Sequence, residues 1–337
     1  MLDNDTYSIS VVIPSCERRA SVERLLTAFA SQTLPPHDFE VIVALNGADD
    51  GTAAMIDRLG APYPLRYVWH GQRTRAGACN AGARVACGRL LVFLDDDMEP
   101  APEFLQGHLA AHPPGSSRGV VGAAPIHFDA SSPGIVAYRA LGFRRKLEQL
   151  AASPTGLRFN QVYTGNFSIP RHLFLAVGGF DEEFQLYGYE DYELVLRLRK
   201  IGVEFAYSAE ALAHQHYAKD FAALADNTVA SGKMAVLFAR KHPEIFSQLE
   251  LSQYAQGSRR QRYLRALLLG LSRTWDGVPA AVVRIGEWLD SRRSARLHAF
   301  YDRAFDYFYW YGVERALRSD QRRVSPFLGR RLKQLAS

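Results

Sequence analysis

Five apolar residues, Leu90-Leu91-Val92-Phe93-Leu94, run without a break into three carboxylates, Asp95-Asp96-Asp97. A short continuous apolar run of this kind reads as a strand buried on both faces, as in a parallel sheet. The carboxylates then stand at the strand's C-terminal end, where open α/β sheets bind ligands. Adjacent carboxylates repel one another and are costly to desolvate, so positive charge is required nearby. A divalent metal carrying a diphosphate meets that requirement.

Strands and helices alternate around this stretch. Ser8–Ile13 is a β-branched strand closed by Pro14, and Ser21 is placed to cap the next helix, with Val22, Leu25, Leu26 and Phe29 on its apolar face. Phe39–Leu45 is a second strand, ended by the turn dipeptide Asn46-Gly47. Thr52–Leu59 reads as a helix, Leu65–Trp69 as a strand, and Arg75–Ala86 as a helix of small residues against which something packs closely. This alternation predicts a parallel sheet with right-handed crossovers. Pro100–Pro102 starts a further helix, Gly119–Pro125 and Thr164–Ile169 are strands, and residues 127–162 are weakly patterned apart from a helix at Arg139–Ala152. Gly178-Gly179-Phe180 fits a tight turn that buries the phenylalanine. Glu190 and Asp191 fall in the first turn of a helix reaching Lys200, where the helix dipole favours negative charge. His214 and His216 share one face of an extended segment.

The length of 337 residues allows one large domain, or a domain plus an extension, and the reading divides the chain into 1–220 and a helical 221–337. The net charge of +5 hides a division: residues 256–337 hold 16 Arg and 1 Lys against 7 Asp or Glu, a balance of +10 against −5 for the rest. Such a tail reads either as a solvated helical face or as a patch for an anionic membrane surface; charge alone is poor support for nucleic acid. No apolar run reaches the roughly 18–20 residues of a membrane span, and the polar start Met1–Ser8 is unlike a secretory signal. Cys16, Cys79 and Cys87 cannot all pair and form no CxxC, which points to a reducing, cytoplasmic setting. No GxGxxG follows the first strand, which disfavours a dinucleotide oxidoreductase. The same loop, Pro14-Ser15-Cys16-Glu17-Arg18-Arg19, lacks the glycines of a nucleotidyltransferase; that class and a non-catalytic sugar-nucleotide or glycan-binding module stand as the alternatives.

Val11-Val12-Ile13-Pro14-Ser15, Asn46-Gly47 with Asp50-Gly51-Thr52, Asn80-Ala81-Gly82, Phe93–Asp97, Thr164-Gly165-Asn166, Gly178–Phe184 and Glu190–Leu194 occur in an order that resembles family 2 glycosyltransferases. The resemblance covers residues 8 to about 216 and implies a GT-A fold, a Rossmann-like and mostly parallel sheet flanked by helices. It further implies inverting transfer of a sugar from a nucleoside diphosphate sugar to a glycan or lipid-linked hydroxyl acceptor in cell-surface polysaccharide or glycolipid synthesis. Such a displacement needs a carboxylate base for the acceptor proton and positive charge for the leaving diphosphate. By motif position Asp191 is the base and Glu190 orients it or the acceptor. Asp97 is the direct ligand of Mn²⁺ or Mg²⁺, supported by Asp95, with His214 first and His216 second as the completing histidine. Asp96 contacts the donor ribose, and Ser15, Glu17, Asn46, Arg75 and Asn80 line the nucleotide.

The pattern departs at one place. Relatives carry an aspartate before the Asn-Gly of the second strand, which reads uracil, and here that residue is Leu45. Either the backbone or Asn46 takes over, or the base is not uracil; UDP is the first expectation, with dTDP and GDP open. Cys16 also replaces the tyrosine common at the end of the first strand.

Overall fold

The computed structural model describes residues 6–291, 297–319 and Leu332. The first residues of the acidic start, and the tail arginines within 292–296 and 320–331, lie outside the described residues.

Four strands, β1 (Tyr7–Cys16), β2 (Phe39–Asn46), β3 (Leu65–Trp69) and β4 (Gly88–Leu94), alternate with α1 (Arg19–Phe29), α2 (Thr52–Arg58) and α3 (Arg75–Val85). There follow β5 (Met98–Pro100), α4 (Phe104–Ala110), β6 (Arg118–Gly122), α5 (Gly134–Ala152), β7 (Asn166–Pro170), α6 (Arg171–Ala176), α7 (Glu190–Lys200), β8 (Glu204–Ser208) and β9 (Ala213–Gln215). The main sheet has seven strands in the order β3-β2-β1-β4-β7-β6-β8, and β5 pairs with β9 in a small antiparallel ribbon. Ile9, Val11, Val41, Val43 and Val92 are fully buried in the core beneath the sheet, which explains the unbroken apolar runs of β1, β2 and β4. From β1 the chain steps out to β2 and β3, then returns to the other side of β1 as β4. That reversal sets the ends of β1 and β4 side by side, the usual position of a ligand crevice.

The mostly parallel sheet is as expected, with β1 to β4 all parallel, and several details are corrected. The sheet becomes mixed at β7, which runs antiparallel to both β4 and β6. In this direction the residues before β7 lie across from the end of β4, and Asp95 N donates to Gly165 O at 2.9 Å. β1 does not stop at Pro14 but continues to Cys16 along β2; its pairing with β4 ends at Val12, so the proline interrupts no ladder on that side. Helix α1 begins at Arg19, ahead of Ser21, and Asp50 on a neighbouring loop caps it by accepting from Arg19 N at 2.9 Å. Met98-Glu99-Pro100 is drawn into a strand by β9, so α4 starts only at Phe104. The helix expected at Arg139–Ala152 is present as α5 and only its start is corrected, to Gly134. Helix α3 does pack closely: a Cβ on Gly82 would meet Val12 Cγ1 at 2.5 Å.

By contacts the chain falls into two compact units. One comprises the chain up to Phe128 with Arg139–Gln185 and Glu190–Tyr217; the other comprises Asp129–Tyr138, Leu186–Tyr189 and the chain from Ala218. The second is built on α8 (Phe221–Lys241), α9 (Arg259–Leu271), α10 (Val278–Ser291) and α11 (Leu297–Ser319). Its core is aromatic, with Phe221 stacked on Tyr301 at 5.2 Å between centroids. Gly232 and Gly312 lie where a side chain would strike the backbone of Tyr309 and Val229, so α8 and α11 approach closely.

Candidate active site

The three aspartates after β4 have three environments. Asp95 Oδ1 accepts from Arg75 Nε at 3.1 Å and Nη2 at 2.9 Å. Arg75 is the first residue of α3, held in place by Thr74, whose hydroxyl caps the helix by accepting from Gly77 N. Asp96 is buried; Ser15 Oγ donates to it at 2.8 Å and Arg18 Nη1 lies 2.9 Å away. Burial pushes its carboxyl up to about 6, with Asp97 and Asp95 adding to the effect and Arg18 and Ser15 opposing it. Asp97 is also buried, with Gln215 Nε2 at 3.3 and 3.4 Å from its two oxygens and Arg18 Nη1 at 3.9 Å. The Asp95 carboxylate occupies the space a Cβ on Gly165 would take.

The second carboxylate group opens α7. Asp191 Oδ1 accepts a short hydrogen bond from Thr164 Oγ1. Arg75 Nη1 donates to the same hydroxyl at 2.9 Å and lies 3.7 Å from Asp191 Oδ1. One guanidinium therefore touches both Asp95 and the Thr164–Asp191 pair. Glu190 is buried, and its Oε2 has no hydrogen-bond partner. Burial and then the charge of Asp191 raise its carboxyl to about 7, although Arg75 works in the other direction.

The residues expected at the nucleotide lie around the ends of β1, β2 and α3. Ser15 is engaged by Asp96. Glu17 has a left-handed backbone, φ 54°, and its Oε1 accepts from Ala48 N at 2.8 Å and pairs with Arg73 at 3.0 Å. Leu45 belongs to the hydrophobic core, so the departure from the family pattern is a packed side chain. Asn46, the next residue in the strand, donates from Nδ2 to Thr74 O at 3.1 Å, and its buried Oδ1 has no partner. Asn80 has other work: its Oδ1 accepts from Phe180 N at 2.8 Å, and its Nδ2 donates to Phe180 O at 2.9 Å and Glu182 Oε1 at 2.8 Å. It fastens α3 to the Gly178-Gly179 turn, where both glycines have positive φ (83° and 76°).

The two histidines lie on β9 and just past its end. His216 Nε2 is 2.6 Å from Glu99 Oε2, while its backbone N donates to Asp97 O at 2.8 Å. His214, opposite Glu99 in the β5–β9 ribbon, is exposed. Among the described residues no three His, Cys, Asp or Glu side chains converge as a metal-holding group. The carboxylates themselves are hard oxygen donors of the type Mg²⁺ and Mn²⁺ take, and Arg18 and Arg75 now supply their counter-charge.

Sequence reasoning gave no role to Arg18 or Thr164. Arg18 stands three residues from Ser15 in the same loop, and Thr164 lies inside a quoted motif; proximity to assigned residues was the available signal.

Comparison with known proteins decides the lineage. A model described as glycosyl transferase family 2 matches residues 10–174, and one described as glycosyltransferase like family 2 matches residues 128–245. This chain belongs to glycosyltransferase family 2. The family 2 chain is 32% identical over 268 residues to a validoxylamine A glucosyltransferase of Streptomyces hygroscopicus subsp. limoneus, an alignment covering 72% of this chain. It spans 58% of that relative's length. In fold it is similar to the mannosyltransferase PcManGT of Pyrobaculum calidifontis, solved with GDP-Man and Mn²⁺: TM-score 0.56, 17% identity, 90% of this chain and 87% of that one. A second likeness is to S. aureus TarS 1-349 in complex with UDP-GlcNAc, with TM-score 0.50, 14% identity, and 95% and 94% of the two chains covered. These solved structures place the family 2 chain in the GT-A fold.

Proposed function

We propose that this chain transfers a glycosyl group from a nucleoside diphosphate sugar to a hydroxyl acceptor, with inversion, in a single displacement. The observation that carries the reading is the Arg75 bridge, which ties Asp95 at the end of β4 to Thr164 and Asp191 at the start of α7. A displacement needs those two functions at a fixed separation: a base for the incoming hydroxyl and a site for the departing diphosphate. Asp191 is the base. Its Oδ1 is fixed by Thr164, and its side chain is 24% exposed, so it is open to an acceptor. As the acceptor oxygen attacks the anomeric carbon, its proton passes to Asp191. Glu190, beside it, is the reserve proton site at neutral pH. Asp95 and Asp97 would hold Mn²⁺ or Mg²⁺, which supplies positive charge to the diphosphate when bound. That two fold neighbours bind GDP-Man with Mn²⁺ and UDP-GlcNAc supports a nucleotide-sugar donor. Asn46 carries a buried Oδ1 without a partner at the end of β2; an acceptor there, if the bound donor reaches it, suits the N–H of uracil, thymine or guanine and leaves UDP, dTDP and GDP as donors to test.

The test is a thermal-shift panel of UDP, dTDP, GDP and CDP with and without Mn²⁺. A metal-dependent rise in Tm with one nucleotide is expected by mass action, and no shift with any of them would remove the donor reading.

The acceptor side of the proposal is a lipid-linked or polysaccharide acceptor met at an anionic membrane surface. No helix among the described residues is long and apolar enough to cross a membrane. Tyr263, Leu267, Leu271 and Trp275, spaced four apart along α9 and just past its end, are instead all exposed, Tyr263 by 73% and Trp275 by 60%. Arg259, Arg260 and Arg262 are exposed at the start of the same helix. An apolar and aromatic stripe flanked by arginine suits the headgroup boundary of anionic lipid. Binding to vesicles of phosphatidylglycerol, weak on phosphatidylcholine and lost in Leu267→Asp/Trp275→Ser, is the expected outcome. Equal binding by the variant, or a dimer that the double substitution dissolves, would reassign the stripe.

A further inference from the structure

Arg18 and Arg75 are each committed to carboxylates, but two further cations beside the site are not. Arg139 and Lys146 stand two turns apart on α5, and among the described residues neither has a carboxylate within ion-pair distance. Arg139 rests against Tyr217, with its guanidinium carbon 6.0 Å from the ring centroid, and its Nε is buried without a hydrogen-bond partner. Lys146 is half-buried over aromatic rings, its Nζ 4.9 Å from the centroid of Tyr163 and 6.0 Å from that of Phe143. Burial lowers the Lys146 amine to about 8, while the charge of Asp191 holds it up. Asp97 acts in turn on Tyr217. The electrostatic neighbours thus run Asp97, Tyr217, Arg139, Lys146, Asp191, from the diphosphate-side carboxylate to the base.

Ring faces, with the charge of Asp191 beyond ion-pair distance, compensate these partly buried cations only in part. An anion is the complement they lack, and the reaction proposed above brings one to this place. We propose that Arg139 and Lys146 form a phosphate-oxyanion site that receives the donor diphosphate and holds it as it leaves. This rests on the nucleotide-sugar reading. In the step, the acceptor oxygen forms a bond to the anomeric carbon and its proton goes to Asp191. The bond from that carbon to the β-phosphate oxygen breaks, and its electron pair stays on the phosphate. Charge grows on that oxygen as the bond breaks, so cations not already neutralised by protein carboxylates stabilise it most.

Calorimetric titration of the full chain with UDP, GDP and dTDP and the matching monophosphates, with and without Mn²⁺, tests the site. Arg139→Met and Lys146→Met are each expected to lose about tenfold or more in affinity for the bound nucleoside diphosphate. Affinity for the monophosphate should fall far less, and Lys146→Arg should restore most of the diphosphate preference. Melting curves identify any variant that fails to fold, and the Lys146→Arg comparison then carries the test. An unchanged preference for diphosphate over monophosphate in both Met variants overturns the proposal. So does intact diphosphate binding with turnover lost, since the pair would then serve the acceptor. If the unmodified chain binds none of the diphosphates, the donor reading itself falls, a result distinct from either.

Discussion

The carboxylates after β4 and those that open α7 are held in opposite ways. After β4 every carboxylate has a positive or hydrogen-bonding partner: Arg75 for Asp95, Ser15 and Arg18 for Asp96, Gln215 and Arg18 for Asp97. At the start of α7, Asp191 is anchored by Thr164, but Glu190 is buried with one oxygen unpartnered. The first group is balanced by neighbouring side chains, which on the proposed reading an incoming cation and diphosphate would displace. The second, on the same reading, would keep a proton-accepting group in reserve. Charge compensation thus distinguishes the two groups more clearly than residue type does, since both are made of carboxylates.

Substitutions can break this contrast. Asp191→Asn keeps shape and removes the base, so kcat should fall by about 10³ while donor affinity stays nearly unchanged. Parallel loss of both, measured by steady-state kinetics and titration, would place Asp191 with the donor instead. Asp97→Ala should cost about tenfold or more in Mn²⁺-dependent donor affinity, read by titration with and without metal. Unchanged metal dependence would take Asp97 out of the cation site. The smallest effect is expected at Glu190. Its carboxyl is raised from 4.5 to about 7 in the folded chain. Between those values the native state keeps a proton that the unfolded state releases, so stability falls as pH rises through the window and levels off above it. Glu190→Gln should flatten that slope in urea melts taken at pH 4.5, 6 and 8; an identical slope in the variant would show that Glu190 does not titrate there.

Much of the frame was legible because it depends on local pattern. Unbroken apolar runs marked β1, β2 and β4, and the ordered motifs marked the family. What escaped depends on contacts between residues far apart in the chain. The antiparallel course of β7 leaves no trace in its own composition, since Asn166–Pro170 would read the same in either direction. Asn80 was read as a nucleotide contact from its motif; the bonds its amide makes to the backbone of Phe180 depend on the packing of α3 against the glycine turn and had no local signal. His214 and His216 were read as metal-site candidates sharing a face; that Glu99 stands opposite His214 and pairs with His216 depends on the β5–β9 ribbon and had no local signal. Leu45 was visible as a departure; its burial and the buried, unpartnered Oδ1 of neighbouring Asn46 required the strand's register.

Arg75 makes the two ends of the site interdependent in heredity as well as in space. A change at Asp95 that suited a new donor would also loosen the guanidinium that steadies Thr164 and Asp191. On the proposed reading, Asn46 is joined to the same block, among the described contacts, only through the Thr74 carbonyl, and libraries meant to redirect donor preference would vary residue 46 and leave residues 74, 75, 95, 164 and 191 fixed.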